Sequence, residues 1–157
     1  MTIRYAHTNI VSTDWKRLVA FYTKVFNCHV VPPIRKQSGE WLEKGTGLGR
    51  AALEGAHLAL PGYGTEGPTL EIYQYAEIDP RALAAPNSRG FGHIAFEVDD
   101  LDGILKLLLE EGGAANGQIT EKEVAGVGTI RFIYARDPEG NLIELQSWTK
   151  PESDLSF

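Results

Sequence analysis

At 157 residues, 43% hydrophobic and 23% charged, the chain has the composition of a soluble globular protein, one compact domain or two small modules sharing a core, and not of a disordered or fibrous one. A net charge of −6 argues against a nucleic-acid partner, which would need a basic face. The lone Cys28 rules out an intrachain disulfide. With no apolar run near the roughly 18 residues of a membrane span and no signal-peptide pattern at Met1–Tyr5, a cytoplasmic protein without membrane partners is expected.

Taken in chain order, Tyr5 to Ser12 reads as a strand, and Ser12, Thr13 and Asp14 offer N-cap oxygens to a helix over Asp14–Phe26. Trp15, Leu18, Val19, Tyr22, Val25 and Phe26 recur at spacings of three and four, one apolar stripe. Asn27 is suited to a left-handed cap. Cys28 to Arg35 is β-branched and broken by Pro32-Pro33, as in an edge strand with a bulge or bend. Gly45-Thr46-Gly47-Leu48-Gly49 is expected to be a flexible connection. Ala51 to Leu60 and Thr69 to Tyr75 read as strands around the turn residues Gly62 to Pro68.

Residues 77–89 contain Asp79-Pro80 and Ala85-Pro86 and read as a linker. A strand from Gly90 to Val98 follows, then a helix over Asp100–Glu111, capped by Asp99 or Asp100, with Leu101, Ile104, Leu105, Leu108 and Leu109 inward and Gly112-Gly113 as its stop. Gln118 to Val124, Thr129 to Ala135 and Leu142 to Ser147 are the remaining strands. Both halves therefore read β-α-β-β-β, within one domain of residues 1–157: a module of about 1–76, the linker, and a module of about 90–150.

The duplication extends to chemistry. Each half starts with a histidine, His7 or His93, and ends on a strand holding a glutamate, Glu71 or Glu144. Strand alternation turns Glu71 and Glu144 away from the face that packs on the helix, and places His93 with Ala95 and Glu97 on that same outward side. A carboxylate in an apolar strand is costly to bury unpaired. Two imidazoles and two carboxylates at matching positions are the ligand set of a divalent cation.

The segments His7 to Phe26, Gly92-His93-Ile94-Ala95-Phe96-Glu97-Val98-Asp99-Asp100 and Asp137-Pro138-Glu139-Gly140-Asn141-Leu142-Ile143-Glu144-Leu145 resemble the vicinal oxygen chelate superfamily. It includes glyoxalase I, methylmalonyl-CoA epimerase, extradiol dioxygenases and fosfomycin-resistance transferases, along with bleomycin-resistance proteins. The resemblance, from about Tyr5 to Trp148, implies an α+β fold of two tandem βαβββ modules forming an incomplete U-shaped β-barrel around a metal. It puts His7, Glu71, His93 and Glu144 at the four ligand positions, a set most similar to that of glyoxalase I. It thereby implies a metal-dependent lyase or isomerase that abstracts a proton beside a metal-bound carbonyl and stabilises the enediolate. Its cofactor would be one divalent ion (Ni, Co, Zn, Mn or Fe(II)), its substrate a small molecule with vicinal oxygens, and its assembly a homodimer. Glu144 is the expected base, with Glu71 as the partner that returns the proton. An extradiol-type dioxygenase, a thiol transferase and a metal-free binding protein are the alternatives on this scaffold. The pattern departs from glyoxalase I at Val11 and Tyr75, where an arginine that contacts glutathione and an asparagine are typical.

The remaining candidates carry weaker signals. Trp41, Tyr73, Tyr75 and Phe91 are candidates to line a pocket, although strand aromatics are often simply packed. Arg131, between Ile130 and Phe132, is a candidate anchor for an anionic substrate group, set against an ordinary surface arginine. His57 lacks a counterpart in the second half and is read as a partly buried or surface histidine, and His29 is read the same way. The run of glycines at 45, 47 and 49 lacks the Lys-Ser/Thr and the strand-turn-helix setting of a nucleotide site.

Overall fold

The computed structural model describes residues 1–151, so the domain extent expected to reach Phe157 runs beyond them. The chain divides into two compact units, Met1–Ala82 and one that begins at Leu83. Unit 1 runs β1 (His7–Val11), α1 (Trp15–Phe26), β2 (His29–Ser38), α2 (Glu40–Thr46), β3 (Ala52–Ala59) and β4 (Thr69–Tyr75). Unit 2 runs β5 (Ile94–Glu97), α3 (Leu101–Glu110), β6 (Ala114–Ala115), β7 (Thr120–Val124), β8 (Gly128–Arg136) and β9 (Leu142–Thr149). The expected α+β fold of tandem βαβββ modules is what is found.

Each unit builds one open mixed sheet by the same rule. In unit 1 the order is β1-β4-β3-β2, with β1 parallel to β4 and the other pairs antiparallel. In unit 2 it is β5-β9-β8-β6, with β5 parallel to β9 and β7 also pairing β8. The first and last strands of each module are thus neighbours, which brings the histidine near each N-terminal strand beside the glutamate of the closing strand. The outer strand differs: β2 is a single run of ten residues with a register shift between Val31 and Arg35, around the two prolines. Its counterpart in unit 2 is split between β6 and β7.

The helices form where capping and periodicity place them. Asp14 accepts a hydrogen bond from the Arg17 amide at 3.1 Å, worth about 1 kcal/mol to such a helix. Asn27 closes α1 in the left-handed conformation at φ 57°. Leu18, Phe21, Tyr22, Val25 and Phe26 are buried along α1, each fully buried side chain contributing about 1.5–3 kcal/mol. On α3, Asp100 is the cap and accepts from the Gly103 amide at 2.9 Å. Only Leu101 and Leu108 are buried there, and Leu109, expected inward, is 46% exposed. It lies next to Leu108 in sequence and so a third of a turn off the buried line.

Two connections depart from expectation. Gly45 and Thr46 belong to α2, and Gly47 is its left-handed cap at φ 73°, donating to the Glu43 carbonyl. This helix of seven residues buries only Leu42, too little for an apolar period, and carries a Glu40–Lys44 ion pair one turn apart. The linker, for its part, is held at its far half. Arg136 donates to the carbonyls of Gly140 and Ala84 and to Asn116 Oδ1, at 2.6, 3.0 and 2.8 Å.

Candidate active site

In unit 1 the centre is Glu71, on β4, 7% exposed. Its cross-strand neighbours are Asn9 on β1 and His57 on β3. Leu70 and Ile72, on either side of it, are buried against the helix-covered face together with Ala56 and Leu58, so the carboxylate emerges on the opposite face. There His7 Nε2 lies 3.3 Å from Oε2 and His57 Nε2 3.0 Å from Oε1. Asn9 Nδ2 donates to Oε2 at 3.3 Å and the Tyr73 hydroxyl donates to Oε1 at 3.3 Å. Tyr73 Oη is also 2.5 Å from His57 Nε2. His57, Tyr73 and one carboxylate oxygen thus form a closed triangle.

The electrostatics of that triangle follow from burial. Desolvation holds His57 below the usual histidine range; the negative charge of Glu71 opposes this, and Arg35 and His7 reinforce it. The Tyr73 hydroxyl is pushed up to about 12, first by burial and then by the Glu71 charge and hydrogen bond. Both groups therefore meet Glu71 in their neutral forms, with Tyr73 as an O–H donor. Tyr73 packs over Gly55, its partner on β3, and joins a small apolar cluster with Leu42, Ala51 and Leu53, against which Tyr75 lies.

Unit 2 repeats the arrangement with different neighbours. Glu144, on β9, pairs with Ala95 on β5 and Tyr134 on β8. His93, one residue before β5, places Nε2 3.0 Å from Glu144 Oε2, and its ring tilts against Tyr134 with centroids 4.7 Å apart. Among the described residues His93 is the one polar side-chain partner that the structure gives Glu144.

Each histidine–glutamate pair expected from the sequence is brought together inside its own unit. His57 is partly buried, as expected, and sits on Glu71, a contact not expected from the sequence. The signal was present: His57 and Glu71 stand seven residues to either side of Gly64, the middle of the turn, and an antiparallel hairpin centred there pairs them. Arg131 shares a face of β8 with buried Ile133 and Ala135, whereas Tyr134 and Phe132 lie on the face of Glu144. Its guanidinium ion-pairs with Asp102 on α3 at 3.0 Å and with Glu121 at 3.8 Å, so it is a surface arginine on the helix side. Trp41 is 61% exposed and donates to the Ser38 carbonyl, and Phe91 is fully exposed. Of the aromatics considered, Tyr73 is the one that reaches a candidate ligand.

Imidazole nitrogen and carboxylate oxygen are suitable donors for a divalent transition ion, so the residues fit such a cation chemically. Among the described residues, no three His, Cys, Asp or Glu side chains are gathered as a ready cation site. In unit 1, His7 and His57 meet opposite oxygens of one carboxylate.

The family described as the Glyoxalase/Bleomycin resistance protein/Dioxygenase superfamily matches residues 4–145. A lactoylglutathione lyase of Schizosaccharomyces pombe is 27% identical over 168 residues, covering 99% of this chain and 51% of that protein. The chain thus spans about half the length of that relative. A probable lactoylglutathione lyase of Vibrio parahaemolyticus is 28% identical, over 90% of this chain and 88% of its own. Among solved structures, a glyoxalase family protein from Bacillus cereus matches with a TM-score of 0.75 at 22% identity, over 93% of each chain. A glyoxalase I variant from Zea mays matches at 0.61 and 24% identity, over 91% of this chain and 44% of that one.

Proposed function

The chain belongs to the Glyoxalase/Bleomycin resistance protein/Dioxygenase superfamily, and from that premise we propose that it is a glyoxalase I-like, metal-dependent lyase or isomerase. The supporting observation is that both units present an imidazole Nε2 within 3.3 Å of a glutamate oxygen at matching places in the same topology. His7, Glu71, His93 and Glu144 are the proposed ligands, and the names of the two lactoylglutathione lyases agree with that chemistry. A bound divalent ion would act as a Lewis acid toward a substrate carbonyl and stabilise developing enediolate charge.

The residues of the chain do the rest. Glu144, with His93 as its polar partner, is the carboxylate with fewer polar contacts and is the proposed base for the carbon-bound proton. Glu71, held by several donors, is the proposed partner that returns the proton. Val11 is 49% exposed and brings no cation to the position where an arginine that contacts glutathione is typical; the proposed substrate is a small molecule with vicinal oxygens, and the hemithioacetals in the screen below decide whether it carries glutathione. A homodimer in a reducing, cytoplasmic setting completes the reading.

The test is metal analysis of purified protein, with Ni(II), Co(II) and Zn(II) loading, followed by a screen of hemithioacetals, 2-hydroxyketones and acyl-CoA epimers. Wild type should retain about one ion per ligand set, and His7→Ala and His93→Ala should each lower retention. Retention should also fall on acidification, because the ligand atoms bind only when deprotonated. Wild-type protein that takes up none of the three metals would overturn the reading.

A further inference from the structure

We propose that His57 and Tyr73 are positioning residues that clamp the Glu71 carboxylate and so set how tightly unit 1 holds its cation. This rests on the metal reading above but concerns residues outside the ligand set. The argument begins with register: β3 and β4 pair so that His57 stands directly across from Glu71, and Gly55 across from Tyr73. Because Gly55 has no side chain, the Tyr73 ring can lie over the sheet. A Cβ on Gly55 would come within 2.6 Å of Tyr73 Cδ1 and press on the Ile72 carbonyl. The ring so placed delivers its hydroxyl to the carboxylate oxygen that His57 also reaches.

With Nε2 protonated, His57 donates into this triangle, and the Tyr73 hydroxyl donates to Oε1. Oε1 is thereby fixed, which orients Oε2 toward His7 and Asn9. Groups that orient a ligand carboxylate in this way typically account for about 10–100-fold in metal affinity. The side chains involved are largely buried, His57 at 20% exposure and Glu71 at 9%, so water is a poor substitute for either donor. The clamp is particular to unit 1. On β8 the partner of Glu144 is Tyr134, which stacks on His93.

Two measurements test this. The first is Co(II) affinity by competition with a chromophoric chelator, on wild type, His57→Ala, His57→Gln, Tyr73→Phe and the exposed-site control His29→Ala. His57→Ala should weaken Co(II) by about 10–100-fold, Tyr73→Phe by a few-fold, and His57→Gln, which keeps an N–H donor, should recover most of the loss. The control should match wild type. The second is a thermal double-mutant cycle of His57→Ala with Glu71→Ala in metal-free protein, where non-additivity of about 2 °C or more is expected. Additive changes in that cycle overturn the clamp, as does Co(II) affinity in His57→Ala within twofold of wild type. A wild type that binds no Co(II) while the cycle is non-additive overturns the metal reading and leaves the clamp on Glu71 standing.

Discussion

Unit 1 and unit 2 share strand order, helix placement and a histidine–glutamate pair, yet they treat their glutamates differently. Glu71 is contacted by His7, Asn9, His57 and Tyr73, whereas Glu144 has His93 and the nearby ring of Tyr134. The difference arises at three cross-strand or alternate-strand positions: Asn9 against Ala95, His57 against Tyr134, and Tyr73 against Gln146. Gln146 takes a hydrogen bond from Trp148, so it is engaged elsewhere. One topology thus yields a carboxylate contacted by four side chains and a carboxylate with one polar side-chain partner among the described residues. Under the proposed function, that contrast is what supports Glu71 as the held ligand and Glu144 as the base.

The largest effect expected from this contrast is on catalysis. At matched metal occupancy, Glu144→Gln should lower turnover by about two to four orders of magnitude, the usual worth of a general base. Glu71→Gln should act first on metal retention, and should slow the loaded enzyme as well through the proton it returns, by less than Glu144→Gln does. Equal rate losses for the two variants in single-turnover kinetics would break the comparison.

A middle-sized effect concerns Gly55, where an added Cβ would meet the Ile72 carbonyl oxygen at 2.0 Å and Tyr73 Cδ1 at 2.6 Å, and which has Phe132 as its strand counterpart in unit 2, across from Gln146. Gly55→Ala should destabilise the protein by about 1–3 kcal/mol through overcrowding, read as a fall of about 2–4 °C in Tm for each kcal/mol. Added Tyr73→Ala should recover part of that loss by making space. No recovery would mean that the backbone at Ile72, rather than the ring, sets the requirement.

The smallest effect belongs to Cys28, a fully buried thiol in unit 1. Burial pushes it up to about 12 from an ordinary 9.0. A group raised in the folded state stabilises fully below its unfolded value and less as pH rises toward the folded one. Stability should therefore decline above about pH 9, beyond what Cys28→Ala shows in urea melts at the same pH. Parallel curves for the two proteins would show that the thiol does not contribute.

Much of this was legible in the sequence because it is periodic or local. The α1 stripe, the Asp14 and Asn27 caps and the strand Thr69–Tyr75 follow from spacing within short windows, and the matched His–Glu positions follow from the repeat of one half in the other. What escaped depended on pairing across a turn or on context. His57 gains its meaning from the register of β3 against β4, and its lack of a counterpart in unit 2 made it look incidental. Arg131 needed the parity of β8, fixed by buried Ile133 and Ala135, to show that it turns toward Asp102. The α2 helix, with one buried leucine and three nearby glycines, carries no period to read.

The hold of Arg136 on Ala84 and Gly140 has a consequence for modular rearrangement. Leu83 also packs against Gly140, where an added Cβ would press on its side chain. Unit 2 therefore carries its own lead-in, stitched to the turn between β8 and β9, whereas Glu77 and Asp79 upstream take part in exposed ion pairs with Arg50 and Arg81. A new terminus or a grafted insert belongs between residues 76 and 82, where the chain leaves β4. A cut after Leu83 would instead unpick the stitching, so the natural seam for swapping one half of this duplicated fold lies in the first part of the segment that composition marks as the linker, not at its middle.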